Sequence, residues 1–81
     1  MFYIYSKPNC SFCEKAKALL NMKGEQYVEY IVDTPGFPKD PSKTYVTVQE
    51  LREKVPNARS VPQIFKNEVL IGGFEQLQAV V

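Results

Sequence analysis

The chain opens on an apolar and aromatic run, Phe2-Tyr3-Ile4-Tyr5, with no polar residue alternating through it. Such a run reads as a strand covered on both faces. From Phe12 the period changes to helical. Phe12, Ala16, Leu19 and Leu20 fall on one stripe, Glu14, Lys15, Lys17 and Asn21 turn outward, and Gly24 stands where a helix C-terminus takes glycine. Tyr27 to Val32 reads as a second strand. Short connections around an intervening helix imply a right-handed parallel crossover between the two strands.

Pro35, Gly36, Pro38 and Pro41 mark residues 33–45 as an exposed loop. Thr47-Val48-Gln49-Glu50 fits a capping box, followed by a buried stripe of Val48, Leu51 and Val55 that Pro56 terminates. Val61 to Phe65 and Val69 to Ile71 read as a hairpin around Lys66-Asn67-Glu68, and after Gly72-Gly73 a short helix places Phe74, Leu77 and Val81 on one face. The predicted order is β-α-β-α-β-β-α: an α/β chain with a four-stranded mixed sheet flanked by three helices, in a single domain over residues 1–81.

Ten basic against nine acidic residues leave a net charge of +1, which argues against electrostatic capture of nucleic acid or a membrane surface. The start of the chain lacks a signal-peptide pattern and no apolar run reaches transmembrane length, so the expected compartment is the cytoplasm.

Chemistry concentrates in Cys10-Ser11-Phe12-Cys13, the only cysteine pair, set where the first strand gives way to the first helix. Side chains at i and i+3 share a helix face, so two thiols at this spacing can close and reopen a disulfide without rearranging the fold. Unpaired N–H groups and the helix dipole favour a thiolate at the first of them. A four-residue loop is a poor structural staple, and without histidine or a third cysteine one chain cannot complete a tetrahedral zinc site. A reversible dithiol is the leading reading, with Cys10 as nucleophile and Cys13 as resolving thiol.

Three blocks in this order carry a resemblance along essentially the whole chain: Tyr5-Ser6-Lys7-Pro8-Asn9-Cys10-Ser11-Phe12-Cys13, Ala58-Arg59-Ser60-Val61-Pro62-Gln63-Ile64-Phe65, and Ile71-Gly72-Gly73-Phe74-Glu75-Gln76-Leu77. The chain resembles a dithiol glutaredoxin of the thioredoxin fold, and its small size and ending are similar to glutaredoxins of bacteria and of large tailed bacteriophages; a phage protein would work in the host cytoplasm. The resemblance implies a glutathione-dependent thiol–disulfide oxidoreductase that reduces protein disulfides and glutathione mixed disulfides. It further implies glutathione as reductant, no required metal, disulfide-containing client proteins with ribonucleotide reductase as one candidate, and a monomer. Glutathione contacts carried over by position are Lys7 and Gln49 for the glycine carboxylate, Phe12, Val61 and a cis Pro62 beside the sulfur, and Gly73 with the N–H groups of Phe74 and Glu75 for the γ-glutamyl end. Lacking a side-chain cap, the helix after Gly73 is expected to leave those N–H groups free.

Ser11 and Phe12 stand where the family most often has Pro and Tyr, and dithiol members with Ser at that position sometimes hold a [2Fe-2S] cluster between two protomers. The alternatives to the main reading are therefore a redoxin of the same fold recharged by thioredoxin reductase and a glutathione-ligated [2Fe-2S] cluster carrier.

Overall fold

The first strand, β1 (Phe2–Ser6), is hydrogen-bonded on both edges, parallel to β2 (Tyr27–Val32) and antiparallel to β4 (Gln63–Lys66) in the computed structural model, which describes residues 1–81. That central position accounts for its lack of polar alternation. The sheet is completed by β3 (Thr44–Val46) and β5 (Val69–Gly72), in the order β3-β2-β1-β4-β5. Helices α1 (Ser11–Met22), α2 (Val48–Lys54) and α3 (Phe74–Val80) pack on it. The thioredoxin-like α/β architecture matches the expectation, but the sheet has five strands, not four. The additional strand is Thr44-Tyr45-Val46, which pairs in parallel with Tyr30–Val32 and lies at the end of what the prolines mark as loop. The β-branched and aromatic character of these residues suits a strand, but a three-residue run directly after a proline-rich loop is too short to show a period.

Alternate residues of β1 feed two cores. Phe2 and Ile4 join Ala16, Leu20, Ile64 and Leu77 under α1 and α3. Tyr5 joins Val32, Leu51, Val55 and Phe65 under α2, with Tyr3 and Tyr30 packed at the margin. Tyr30 stacks on Tyr5 at 5.2 Å between ring centroids, and burial together with the neighbouring Tyr30 and Glu50 pushes the Tyr5 phenol above its ordinary value.

Helix α1 ends in a Schellman arrangement. Gly24, in the left-handed region at φ 71°, donates to Asn21 O, and Glu25 N–H reaches back to Leu20 O at 2.9 Å. Within α1 the buried stripe is Cys13, Ala16 and Leu20, with Leu19 at its edge; Phe12, expected inside, is 54% exposed because it occupies the first turn, one position away from the stripe. Lys17, expected to face solvent, instead reaches Glu29 of β2. In α2, Thr47 caps the Glu50 N–H at 3.0 Å, the forward half of the expected capping box, while Glu50 returns no bond to the Thr47 N–H; Leu51 and Val55 are buried, whereas Val48 in the first turn is exposed. The strand expected from Val61 starts at Gln63, because Pro62 has no N–H to give to a ladder.

The proline-rich segment is folded onto itself. Phe37 N–H bonds Thr34 O around Gly36 (φ 88°), Asp40 accepts from Ser42, and Tyr45 OH accepts from Asp40 N–H at 2.7 Å.

Candidate active site

Cys10 is the N-cap of α1, with extended backbone (φ −108°, ψ 105°), and its Sγ accepts from the Cys13 N–H at 3.2 Å. The two cysteines form a disulfide with Cα atoms 5.2 Å apart. Their accessibilities differ in the sense the chemistry needs: Cys10 is 9% exposed and Cys13 1%. An attacking partner therefore reaches Cys10 first. The Cys13 N–H that meets Cys10 Sγ and the unpaired N–H groups of the first helical turn place donors around this sulfur.

Val61 O lies 3.8 Å from Cys10 Sγ. A disulfide sulfur has no proton to donate, so this distance reports close approach of the Val61-Pro62 turn to the reactive sulfur. The Val61–Pro62 peptide is cis and Pro62 is buried. The same turn meets the start of α3: a Cβ on Gly73 would lie 3.6 Å from Pro62 O. Gly73 is the N-cap of α3 and offers no side-chain cap. Its own N–H is taken up by Gln76 Oε1, which accepts it at 2.9 Å. Gln76 at the third helical position is the signal for such a back-reaching bond. The N–H groups of Phe74 and Glu75 sit in the first turn, where no intrahelical acceptor exists.

Lys7, Val61 and Ser60 line a groove of about 170 Å³ beside the disulfide, walled by Val48, Leu51 and Arg52 of α2. Of the residues proposed from sequence, the fold thus brings Lys7, Cys10, Cys13, Val61, Pro62 and Gly73 together, and pairs Phe12 with Phe74 at 6.3 Å between ring centroids. Glu75 is exposed on the first turn of α3. Gln49 is exposed and does not line the groove; Val48 and Arg52, one turn apart on α2, share the face that does. Arg52 and Arg59 are the additions the sequence reading missed. Their signals were the i, i+4 spacing from Val48 and the adjacency of Arg59 to Ser60-Val61-Pro62. A wider depression of about 860 Å³, lined by Tyr3, Tyr5 and Tyr30 among others, contains none of the dithiol site residues. No group of three or more His, Cys, Asp or Glu side chains is arranged to hold a metal ion, and no helix is long and apolar enough to cross a membrane.

A dithiol at a helix N-terminus, faced by a cis-proline turn, on a mixed sheet with helices on both sides is the active-site architecture of thioredoxin-like redox proteins. The chain belongs to the glutaredoxin family: the Glutaredoxin family model matches residues 3–71. It is 38% identical over 74 residues to a probable glutaredoxin of Synechocystis sp., covering 91% of this chain and 60% of that protein. It is 34% identical over 77 residues to glutaredoxin 3 of Escherichia coli K12, covering 95% of this chain and 81% of that one. Among solved structures, glutaredoxin 1 from Francisella tularensis, complexed with cacodylate, superposes with a TM-score of 0.71 at 25% identity over 96% of this chain and 87% of that one. A buckwheat glutaredoxin–glutathione complex shares the fold, with a TM-score of 0.64 at 18% identity over 96% of this chain and 64% of that one. Family membership and the Cys10–Cys13 pair together point to thiol–disulfide redox chemistry.

Proposed function

We propose that the chain is a dithiol, glutathione-dependent thiol–disulfide oxidoreductase that reduces protein disulfides and glutathione mixed disulfides. The observation that carries this reading is the Cys10–Cys13 disulfide at the start of α1, with Cys10 Sγ facing the Val61-Pro62 turn.

In the proposed cycle the Cys10 thiolate attacks a client sulfur, forming a mixed disulfide and releasing the first client thiolate. Cys13, deprotonated, then attacks Cys10 Sγ and expels the second. The client gains two electrons and, on protonation, two hydrogens; Cys10 and Cys13 lose them and become the disulfide seen here. Two glutathione molecules reverse the change, the first joining Cys10 and the second displacing it as oxidised glutathione. For glutathione we place the glycine carboxylate near Lys7, the cysteinyl backbone along Val61 and beside Phe12, and the γ-glutamyl carboxylate near the Phe74 and Glu75 N–H groups next to Gly73. Gln49, exposed on the first turn of α2, is the remaining proposed contact to the glycine end. The glutathione complex of the buckwheat protein supports the ligand class through the shared fold.

The cycle draws its electrons from thiols and routes no step through a metal. A [2Fe-2S] cluster would need four thiolates, and this chain offers one accessible sulfur, Cys10, so it would have to be shared between two chains and two glutathiones. The working form we propose is a monomer in the cytoplasm, acting on disulfide clients of which ribonucleotide reductase is one candidate.

A coupled assay tests the reading: NADPH oxidation is followed with glutathione and glutathione reductase, or with thioredoxin reductase, using a mixed disulfide as substrate. Turnover with glutathione supports the proposal. Turnover with thioredoxin reductase alone would replace it with the redoxin reading, and brown, glutathione-dependent colour in anaerobically purified protein would replace it with cluster transfer.

A further inference from the structure

Two unlike surfaces flank the disulfide. On one side the groove beside Val61 is rimmed by Lys7, Arg52 and Arg59, none of which is in an ion pair, and no carboxylate lines it. The whole chain carries a charge of only +1, so this is a local concentration of positive charge over an apolar floor that includes Val48 and Leu51. On the other side Phe12 of α1, 54% exposed, leans toward Phe74 of α3, and Lys15 Nζ sits 5.0 Å from the Phe12 ring centroid, covering one face of the ring. The reactive sulfur links the two: Cys10 meets Val61 of the groove and directly precedes the turn that carries Phe12.

We propose that this paired surface selects its disulfide clients, favouring a polypeptide whose cysteine is flanked by a carboxylate side chain and by an apolar one. The inference rests on the thiol–disulfide reading of the site. The carboxylate is drawn by three unpaired cations converging on one concave surface, where like charge focuses the field and raises the encounter rate. The apolar residue covers exposed aromatic area on Phe12 and Phe74 that would otherwise stay in water. Neither contact exchanges electrons. The client disulfide is reduced by Cys10 and Cys13 as above, and the surface decides which disulfide arrives.

The test is a single-turnover reaction. Pre-reduced protein, freed of reductant so that glutathione takes no part, is mixed with disulfide-bridged synthetic peptides, quenched with acid and alkylated. The peptides differ only beside the cysteine, carrying aspartate or lysine combined with leucine or serine. The aspartate–leucine peptide is expected to oxidise the Cys10–Cys13 dithiol at least about tenfold faster than the lysine–serine peptide at low salt, with the charge-dependent part collapsing at about 0.5 M salt. Arg52→Glu combined with Arg59→Glu, both exposed positions, should reverse the aspartate–lysine preference. Equal rates for aspartate and lysine peptides, or a preference that survives the double substitution, would overturn the charge selection. Equal rates for leucine and serine peptides would overturn the aromatic half. If every peptide is left unreduced, the thiol–disulfide reading fails along with this one.

Discussion

Lys17 Nζ lies 2.9 Å from Glu29 Oε2 and ties the outer side of α1 to the second strand. Glu29 stands opposite Ile4 in the parallel ladder, on the sheet face that α1 covers, and the buried Ser6 hydroxyl donates to the same carboxylate at 2.7 Å. Lys43, at 3.8 Å from the other oxygen, brings in the end of the proline-rich loop. Both side chains of the central pair are largely covered, 17% and 14% exposed. Burial works against the charge on each, but hydrogen bonds and the opposite charges win: they hold the Glu29 carboxyl below its ordinary value and the Lys17 ammonium above its own.

That balance predicts an acid-sensitive contribution to stability. With its folded pKa lowered, Glu29 contributes fully above the unfolded carboxyl range and the contribution is lost as pH falls through the folded value. Lys17, with its folded pKa raised, contributes fully below its unfolded value and loses that only as pH rises through the folded one, in strong alkali. Glu29→Gln should cost about 1–2 kcal/mol at neutral pH, since Ser6 and Lys17 lose a charged partner. Urea midpoints at about pH 7 and about pH 3 should then differ less in Glu29→Gln than in the parent chain. An identical drop in both would remove this pair from the account of acid stability.

A second prediction concerns the entry to α3. Gly72 has φ 124°, and a Cβ there would come within 3.0 Å of both Gln76 Cγ and Oε1. Gly24, also at positive φ, has open space around it. Gly72→Ala should therefore destabilise the chain by more than Gly24→Ala, by about 1–3 kcal/mol, because it combines backbone strain with displacement of the Gln76 cap on Gly73. Thermal unfolding of the two variants side by side decides the point; equal losses would mean the Gln76 contact carries no weight.

The same local scale governs how much of the molecule the sequence disclosed. The helix stripes, the Thr47 cap, the Gly24 stop and the hairpin are set by residues within a turn or two of one another, so period and spacing reveal them. The dithiol was legible for that reason also, since Cys10 and Cys13 share one helix turn. Pairings across the fold were less accessible. Thr44–Val46 becomes a strand only because β2 offers it an edge, and Lys17 turns inward only because Glu29 waits on another element. The groove cations Arg52 and Arg59 come from α2 and the segment before β4, and nothing local announces that they meet Lys7. Gln49 shows the reverse case: its position in a resemblance suggested the site, while the helix rotation gives the groove to Val48 and Arg52.

The thiols should divide their labour by depth. Cys10→Ser is expected to abolish all turnover. Cys13→Ser should keep the removal of glutathione from mixed disulfides, which needs no resolving thiol, and lose the reduction of protein disulfides. Alkylation of the reduced protein near neutral pH should label Cys10 well before Cys13, following their 9% and 1% exposure and the helix-terminal position of Cys10. Mass spectrometry of partially labelled protein reads the order directly, and faster labelling of Cys13 would reverse the assignment of nucleophile.

Lys7 supplies the last prediction, because its two roles separate by reductant. Exposed in the loop before α1, it lines the groove beside Cys10 without an ion-pair partner, so it is available to a ligand carboxylate and to the field at the sulfur. If it binds glutathione, Lys7→Ala should weaken turnover with glutathione about three- to tenfold, the lower end applying because Arg52 and Arg59 share the carboxylate and solvent screens the contact. Reduction of the Cys10–Cys13 disulfide by dithiothreitol, which has no carboxylate, should change far less. Combining Lys7→Ala with Arg52→Ala should deepen the loss with glutathione and leave the dithiothreitol rate near that of Lys7→Ala alone. The pair of rates therefore distinguishes recognition from activation: equal losses with both reductants would mean that Lys7 acts on the Cys10 thiolate and not on the ligand, and no loss with either would remove it from the site.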